Sequence, residues 1–371
     1  ISQGIIPGIG GILIFIPQIA FLFLFISILE ESGYMSRVVF LMDKIMRRFG
    51  LSGKSVVPLI SGTACAIPAI MATRNIENWK ERLITILVTP FTTCSARLPV
   101  YAIIIGLVIP DTYVLGILNL QGLTLMLLYV IGFGMAILAA YILNLILKVK
   151  GKTFFVVEMP NYKLPLFKNV AINVIEKTKA FVFGAGKIIL AISIILWFLA
   201  SYGPGKEFKD AEKIVFENAK ENPLSSAEFD NAVASQKLEN SYIGLMGRGI
   251  EPIISPLGYD WKIGIAIISS FAAREVFVGT LATIYSVGGT DNENTIKNKM
   301  AAEINPVTGE KVFNFASGIS LLMFYAFAMQ CASTLAITKK ETNSWKWPAG
   351  QLVFMIEFAY LVALIAFQIL K

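Results

Sequence analysis

The stretch from Ser52 to Arg74, SGKSVVPLISGTACAIPAIMATR, is apolar enough to enter a membrane, yet Gly53, Pro58, Gly62 and Pro68 interrupt it and Cys65 places a thiol in its middle. In hydrocarbon every unpaired N–H or C=O costs several kcal/mol, so broken backbone survives only inside protein or beside a watery cavity. Any fold for this chain must therefore shelter this segment among other apolar elements. The plainer alternative is an ordinary spanning helix, since transmembrane helices carry Pro and Gly more often than soluble ones.

Sheltering elements are abundant. The 371 residues are 56% hydrophobic and 15% charged, with a mean hydropathy of +0.68, which describes a polytopic membrane protein. Runs of ~20 apolar residues, enough to cross a bilayer, recur from one end to the other. A cleaved signal peptide does not explain a pattern so widely spread. The chain begins at Ile1 inside an apolar region, so a piece lacking an N-terminal part is expected. The net charge of +7 sits in short loops, where it reads as topology-setting rather than as a nucleic-acid surface. Three cysteines in apolar segments make no disulfide framework. Histidine is absent, which leaves thiolate, thioether, carboxylate, hydroxyl and carbonyl groups as metal ligands.

Along the chain, a first span is expected from about Gly11 to Leu29, ending in Glu30 and Glu31. An amphipathic interfacial helix over Tyr34 to Phe49 follows. Beyond the broken segment, Leu83 to Ile109 reads as a second kinked element, interrupted by Pro90 and Pro99 around TTCSAR. Val114 to Leu147 reads as a span, Tyr162 to Lys179 as a basic surface stretch, and Ala180 to Tyr202 as another span. Residues 203–241 are polar and acid-rich, an extramembrane insertion with some helix. A second unusual segment, Lys262 to Tyr285, holds Arg274 and Glu275 in its apolar middle. Phe315 to Ile337 and Gln351 to Leu370 are expected as two closing spans.

The two unusual segments belong to a weak internal repeat. Gly33-x-Met35-x-Arg37 matches Gly244-x-Met246-x-Arg248, and Gly50, Lys54, Ile60 and Ser61 fall opposite Gly258, Lys262, Ile268 and Ser269. Duplicated units with interrupted segments in matching places point to a transporter whose substrate site lies at the repeat interface. Loops 34–54, 74–82 and 148–179 are basic whereas 203–241 is acidic, so the first broken segment enters from the cytoplasmic side and its counterpart from outside. The expected fold class is thus all-α: a polytopic helical membrane protein with two inverted repeats, each containing a broken or re-entrant segment. Its parts are residues 1–202 with the broken segment 52–74, the insertion 203–241, and residues 242–371 with the broken segment 262–285.

Several side chains carry candidate chemistry. Cys65, Cys94 and Cys331 lie in three different membrane elements that folding could bring together. Each reads either as a small apolar filler or as a soft ligand for Fe(II), Zn(II) or Cu(I). Intramembrane Glu275 beside Arg274 is either a structural ion pair or a carboxylate on a substrate path. Glu30 and Glu31 mark an interface or a site, Glu357 is ambiguous, and Asp43 with Lys44 reads as a solvated pair. The string Gly50-Leu-Ser-Gly-Lys-Ser55 imitates a phosphate loop, but the position where a Walker motif needs its first Gly is Arg48.

The strings GYMSRVVFLMDKIMRRFGLSGKSVVPLISGTACAIPAIMATR, ERLITILVTPFTTCSARLPVY, SFAAREVFVGTLATIY and MQCAST resemble the membrane domain of the ferrous iron transport protein B family of bacteria and archaea. The resemblance runs from the first span to the last, and the two broken segments look like that family's Gate regions, shared in outline with concentrative nucleoside carriers. It implies a multi-pass protein of the prokaryotic plasma (inner) membrane that moves Fe(II) into the cytoplasm. It further implies control by an N-terminal G domain, binding GTP and Mg, that this sequence does not contain. Small accessory Feo proteins and a homo-oligomer are implied as partners, and no enzymatic activity is implied for this part. Carried over residue by residue, the implied iron-path positions are Cys65, Cys94 and Cys331, with Glu31 and Glu275 matching the family pattern. A midplane site would use Cys65 and Cys94, helped by Glu275 and by Cys331 or Met35. The alternative within transport is a nucleoside or other organic-solute carrier of the same architecture. From other classes, a membrane thiol enzyme would need a base that a chain without His lacks, and a bare anchor would have no use for two broken segments.

Overall fold

The computed structural model describes residues 16–17, 20–21, 23–114, 118–147, 162–219, 226–271, 274, 276–284, 300–301, 303, 311–329 and 331–371. Residues 23–31 form a continuous described helix, α1, and residues 16–17 and 20–21 before it are also helical. Then follow α2 (Tyr34–Met46), α3 (Val56–Gly62), α4 (Ala66–Ala72), α5 (Trp79–Val88), α6 (Leu98–Val108) and α7 (Leu120–Ile146). The central part of the chain supplies α8 (Phe167–Phe181), α9 (Lys187–Ser201), α10 (Lys206–Lys209), α11 (Ala211–Ala219) and α12 (Ser226–Glu239). The last part contains α13 (Tyr242–Ile254), α14 (Trp261–Ser270), α15 (Val276–Ile284), α16 (Phe315–Phe327), α17 (Ala332–Thr342) and α18 (Lys346–Leu370).

Among the described residues, four helical stretches are long and apolar enough to cross a membrane: Trp79–Val108, Leu120–Ile146, Phe315–Thr342 and Lys346–Leu370. At 1.5 Å per residue α7 and α18 extend ~40 Å, longer than a ~30 Å hydrocarbon core. By contrast α3 and α4, seven residues each, reach only ~10 Å. They pack against one another across the break at Thr63–Cys65. The pair α14 and α15 does the same in the second segment.

Both segments are introduced by the same local device at a constant offset of 208 residues. The 13-residue helices α2 and α13 each end in a three-residue 3₁₀ turn, Arg47–Phe49 and Ser255–Leu257. A left-handed glycine closes each turn, Gly50 at φ 77° and Gly258 at φ 80°. Glycine is required there because a Cβ is strained at positive φ, and it would also meet Asn144 of α7 or Phe367 of α18. Lys54 pairs with Glu77 at 3.0 Å and its counterpart Lys262 with Glu303 at 2.5 Å.

The broken helices α5–α6 and α16–α17 run antiparallel. Val108 at the end of the first meets Gly318 at the start of the second. At the other end, Arg82 of α5 meets Glu341 of α17.

Several expectations from sequence are corrected. The span placed at Val114 to Leu147 starts at Leu120, because Tyr113–Val114 pairs antiparallel with Leu118–Asn119 in a two-residue ladder. Asn119 then caps the helix by accepting from Gln121 N–H. The surface stretch Tyr162 to Lys179 is not separate from the span after it, since α8 runs through a π-turn, Val182–Gly186, into α9. Phe315 to Ile337 is not a plain span, since the described residues 328, 329 and 331 are not helical. Asp43 is not a solvated partner of Lys44. It accepts from Gly53 N–H at 2.8 Å and from Arg47 at 2.5 Å, tying α2 to the start of the broken segment.

Candidate functional site

Four helix breaks meet pairwise inside the bundle. At the first pair, Ser95 donates to the Ala64 carbonyl from both its Oγ (2.9 Å) and its N–H (3.4 Å), joining the break beside Cys65 to the break beside Cys94. At the second pair, Ala332 N–H donates to the Phe271 carbonyl at 3.1 Å, joining the break beside Cys331 to the break beside Arg274. In each case the turn of a short hairpin is stitched to the interruption of a spanning helix. Carbonyls that a continuous helix would have satisfied internally are thereby satisfied between elements.

All three cysteines occupy the same kind of position. Each is the extended residue just before a helix starts: Cys65 before α4 (φ −157°, ψ 131°), Cys94 before the turn Ser95–Arg97 that leads into α6 (φ −90°, ψ 160°), and Cys331 before α17 (φ −146°, ψ 103°). None of the three is joined in a disulfide among the described residues, and all are half-buried. Cys65 also packs on the cluster of Phe23, Ile67, Ile70, Ile86 and Ile337.

Two buried guanidinium groups complete the helix ends opposite the thiols. Arg97, 1% exposed, donates to the carbonyls of Pro90 (3.0 Å) and Phe91 (3.5 Å) at the end of the first half-helix. Arg274, 6% exposed, donates to those of Tyr325 (3.0 Å) and Ala328 (2.7 Å) at the end of the other. The last carbonyls of a helix carry its negative pole, so a cation there is favoured. Arg274 stands in the field of Arg97, Cys94, Tyr101 and Cys331, which places these five side chains in one neighbourhood. Arg97 Nε within it, and Ser333 Oγ two residues beyond Cys331, are buried without a hydrogen-bond partner among the described residues. A buried polar atom of this kind is one that a water or an ion can satisfy.

A further carbonyl problem is solved from the last helix. Pro90 has no N–H to give the Ile86 carbonyl four residues earlier. Gln351 of α18 supplies the donor, with Nε2 at 2.8 Å from Leu87 O and 3.4 Å from Ile86 O. The phenyl ring of Phe358, also on α18, touches Phe91 of one break and Phe327 beside the other, at 6.4 and 5.2 Å between centroids.

At the end of the molecule where α5 begins and α17 ends, Glu341, its side chain 3% exposed, receives Arg74 (2.5 Å) and Arg82 (2.8 Å). At the opposite approach to the second segment, Asp260 caps α14 by accepting from Ile263 N–H at 2.9 Å. Burial pushes its carboxyl up to about 6.

The other sequence candidates lie apart from the breaks or outside the described residues. Glu31 accepts from Asn169 of α8 at 3.0 Å, at an exposed position. Met35 is half-buried in the first turn of α2. Glu275 lies outside the described residues, and its neighbour Arg274 is engaged with backbone carbonyls. Among the described residues no three Cys, Asp or Glu side chains converge closely enough to hold one metal ion. Arg97, Glu341 and Gln351 had not been singled out from the sequence. The signal for the break at Cys331 was present in the likeness of CSARL (94–98) to CASTL (331–335).

Comparison with known proteins agrees with this architecture. The Gate family model, described as nucleoside recognition, matches residues 12–108 and 182–345. A model described as ferrous iron transport protein B C terminus matches residues 125–177. The chain is 46% identical over 369 residues to a protein of Leptospira interrogans named Fe(2+) transporter FeoB, covering 100% of this chain and 50% of that protein. A Staphylococcus aureus protein of the same name is 37% identical over 370 residues, covering 100% of this chain and 48% of its own length. A Porphyromonas gingivalis protein, named as a fusion of Fe(2+) transport protein A and Fe(2+) transporter FeoB, is 35% identical over 380 residues, covering 100% of this chain and 44% of that protein. The chain thus spans about half the length of the curated relatives it matches. No solved structure matches it. Taken with the two stitched pairs of breaks in its Gate segments, these matches show that the chain belongs to the ferrous iron transport protein B family.

Proposed function

We propose that this chain forms the membrane path by which Fe(II) enters the cytoplasm, and that the ion passes the breaks bearing Cys65, Cys94 and Cys331. The observation that carries the reading is the common placement of the three thiols, each at the extended residue where a broken membrane helix restarts. Broken backbone at membrane depth is tolerated where it lines a cavity, and interrupted helices are where transporters of this kind place their ions. Thiolate is a borderline-soft ligand suited to Fe(II) and poor for Mg or Ca. Ligation by one or two sulfurs at a time, completed by carbonyl or hydroxyl oxygens, fits a site that must release its ion. It also fits a structure in which no three Cys, Asp or Glu side chains converge among the described residues.

In this reading Glu275 and Met35 stand as additional ligands along the path and Glu31 as an entry carboxylate. Residues 1–202 and 242–371 act as two units of opposite orientation in the prokaryotic inner membrane, with 203–241 as an insertion on the outer side. The antiparallel course of α5–α6 and α16–α17 supports that arrangement. The ionic triad of Arg74, Arg82 and Glu341 then closes the cytoplasmic end. Control by GTP and Mg belongs to a G domain outside this sequence, so the chain itself acts as a permease rather than an enzyme. A small accessory Feo protein and a second copy of the chain are its further partners. The organic-solute alternative would require amide and aromatic groups at the breaks in place of thiols.

The reading is tested by anaerobic Fe(II) uptake in cells lacking other iron importers, with the full-length protein carrying Cys94→Ser, Cys331→Ser or both. Loss of uptake at normal membrane levels is expected. Unchanged uptake and unchanged competition by Zn(II) and Mn(II) would overturn it.

A further inference from the structure

A groove of about 540 Å³ lies between α7 and α18 and opens sideways on the apolar surface of the bundle. Leu138, Ile142 and Ile146 of α7 and Phe354 of α18 form its walls, and all four are exposed. Phe91, at the first helix break, forms part of its floor. One end is different: Lys346 and Trp347 line it there, and Lys80 reaches the Asn144 carbonyl at 3.2 Å beside the lining residue Leu143. Neither Lys80 nor Lys346 pairs with a carboxylate among the described residues.

The charge at one end of the groove selects its occupant. The groove follows α7 from Met135 to Ile146, ~17 Å of helix, a length that an extended acyl chain can occupy. A chain lying along it would place its polar end beside Trp347, at the end where Lys346 lines the groove and Lys80 reaches Asn144. Basic residues at the end of an apolar groove between membrane helices are the pattern that recognises acidic lipid headgroups, and a tryptophan at that level is at home in the interface.

We propose that this groove binds an anionic phospholipid, with one acyl chain along α7 and α18 and its phosphate held by Lys346 and Lys80. The site is coupled to the helix breaks. Phe354 stacks on Phe358 at 6.1 Å, and Phe358 touches both Phe91 and Phe327, so a chain in the groove braces the ring cluster behind both interruptions.

Trp347 serves as the reporter. The full-length protein in mixed micelles would be titrated with brominated-chain phosphatidylglycerol or phosphatidylcholine, and the Trp347 signal taken as wild type minus Trp347→Phe. With roughly 1 kcal/mol per lysine near a lipid phosphate, phosphatidylglycerol should quench at an about 30-fold lower mole fraction than phosphatidylcholine. Lys80→Gln with Lys346→Gln should bring the two lipids together, while Leu138→Trp, which fills the groove, should abolish quenching by both. Equal quenching by the two lipids in the wild-type protein would overturn the proposal. So would a quenching difference that survives in the double lysine variant, or a Trp347 signal that responds to neither lipid while a cysteine placed at Phe354 cross-links two copies of the chain.

Discussion

At the level of single residues, some of the polar groups buried among the described residues complete a helix end and others lie along the breaks. Asp260 illustrates the first case. It holds the start of α14 through Ile263 N–H, yet burial raises its carboxyl from 3.8 to about 6. A raised carboxylate binds its proton more tightly in the folded protein, so the contribution of Asp260 to stability is greatest below about pH 4 and falls as pH rises towards 6. The full penalty, about 3 kcal/mol, is present at neutral pH. Asp260→Asn keeps the cap acceptor and removes the charge. It is expected to unfold at a higher temperature than wild type at pH 7.5 and to lose the pH dependence between 4 and 6, as measured by thermal unfolding in detergent. The cysteines illustrate the second case, and their chemical type was legible directly from sequence. Their shared position before a restarting helix was not, because it depends on hydrogen bonds between residues far apart in the chain, such as Ser95 with Ala64 and Ala332 with Phe271.

At the level of elements, the interruptions are supported rather than merely tolerated. Proline and glycine marked the breaks in Ser52–Arg74 and around Pro90, and the structure places them there. The break before Cys331 carries no proline, and from sequence Phe315 to Ile337 reads as one span. Its stabilising partner is Arg274 from another segment, capping Tyr325 and Ala328, and tertiary contacts of that kind leave no local signature. The dependence of the first break on α18 gives a specific test. Gln351→Leu leaves the Ile86 and Leu87 carbonyls buried without a side-chain donor and should cost about 1–3 kcal/mol in thermal or denaturant unfolding. Pro90→Ala restores an N–H for Ile86, so the double variant should be less destabilised than Gln351→Leu alone. A double-mutant cycle without coupling would show that Gln351 does not serve the carbonyls that Pro90 leaves open.

At the level of the whole molecule, the first hairpin and the first broken helix are tied to α17 at one end by a buried carboxylate. Glu341 receives Arg74 from beyond the first hairpin and Arg82 from the first broken helix. Removing one partner of a fully buried ion pair costs about 3–5 kcal/mol, but Arg74 is half exposed and Arg82 partly so, and water screens the charges left behind. Glu341→Gln is therefore expected to lower the unfolding temperature by less than a fully buried pair would. If the triad closes the cytoplasmic end, the variant should also raise accessibility of Cys65 to a thiol reagent applied from that side. The likeness of the two segments rests in the sequence on Gly33, Met35 and Arg37 with Gly244, Met246 and Arg248, and on Gly50, Lys54, Ile60 and Ser61 with Gly258, Lys262, Ile268 and Ser269. The structure gives a reason for two of these pairs: a left-handed turn and an anchoring cation constrain residue type, whereas the helices around them need only be apolar.

The claim on which the functional account rests is that thiols at the helix breaks ligate the transported ion. X-ray absorption at the iron edge of the full-length protein, loaded anaerobically with Fe(II) in detergent, addresses it without relying on transport. The account predicts a sulfur scatterer in the first coordination shell that is reduced in Cys94→Ser or Cys331→Ser and lost in the variant lacking all three cysteines. A shell of oxygen and nitrogen alone in the wild-type protein, unchanged by those substitutions, would contradict it.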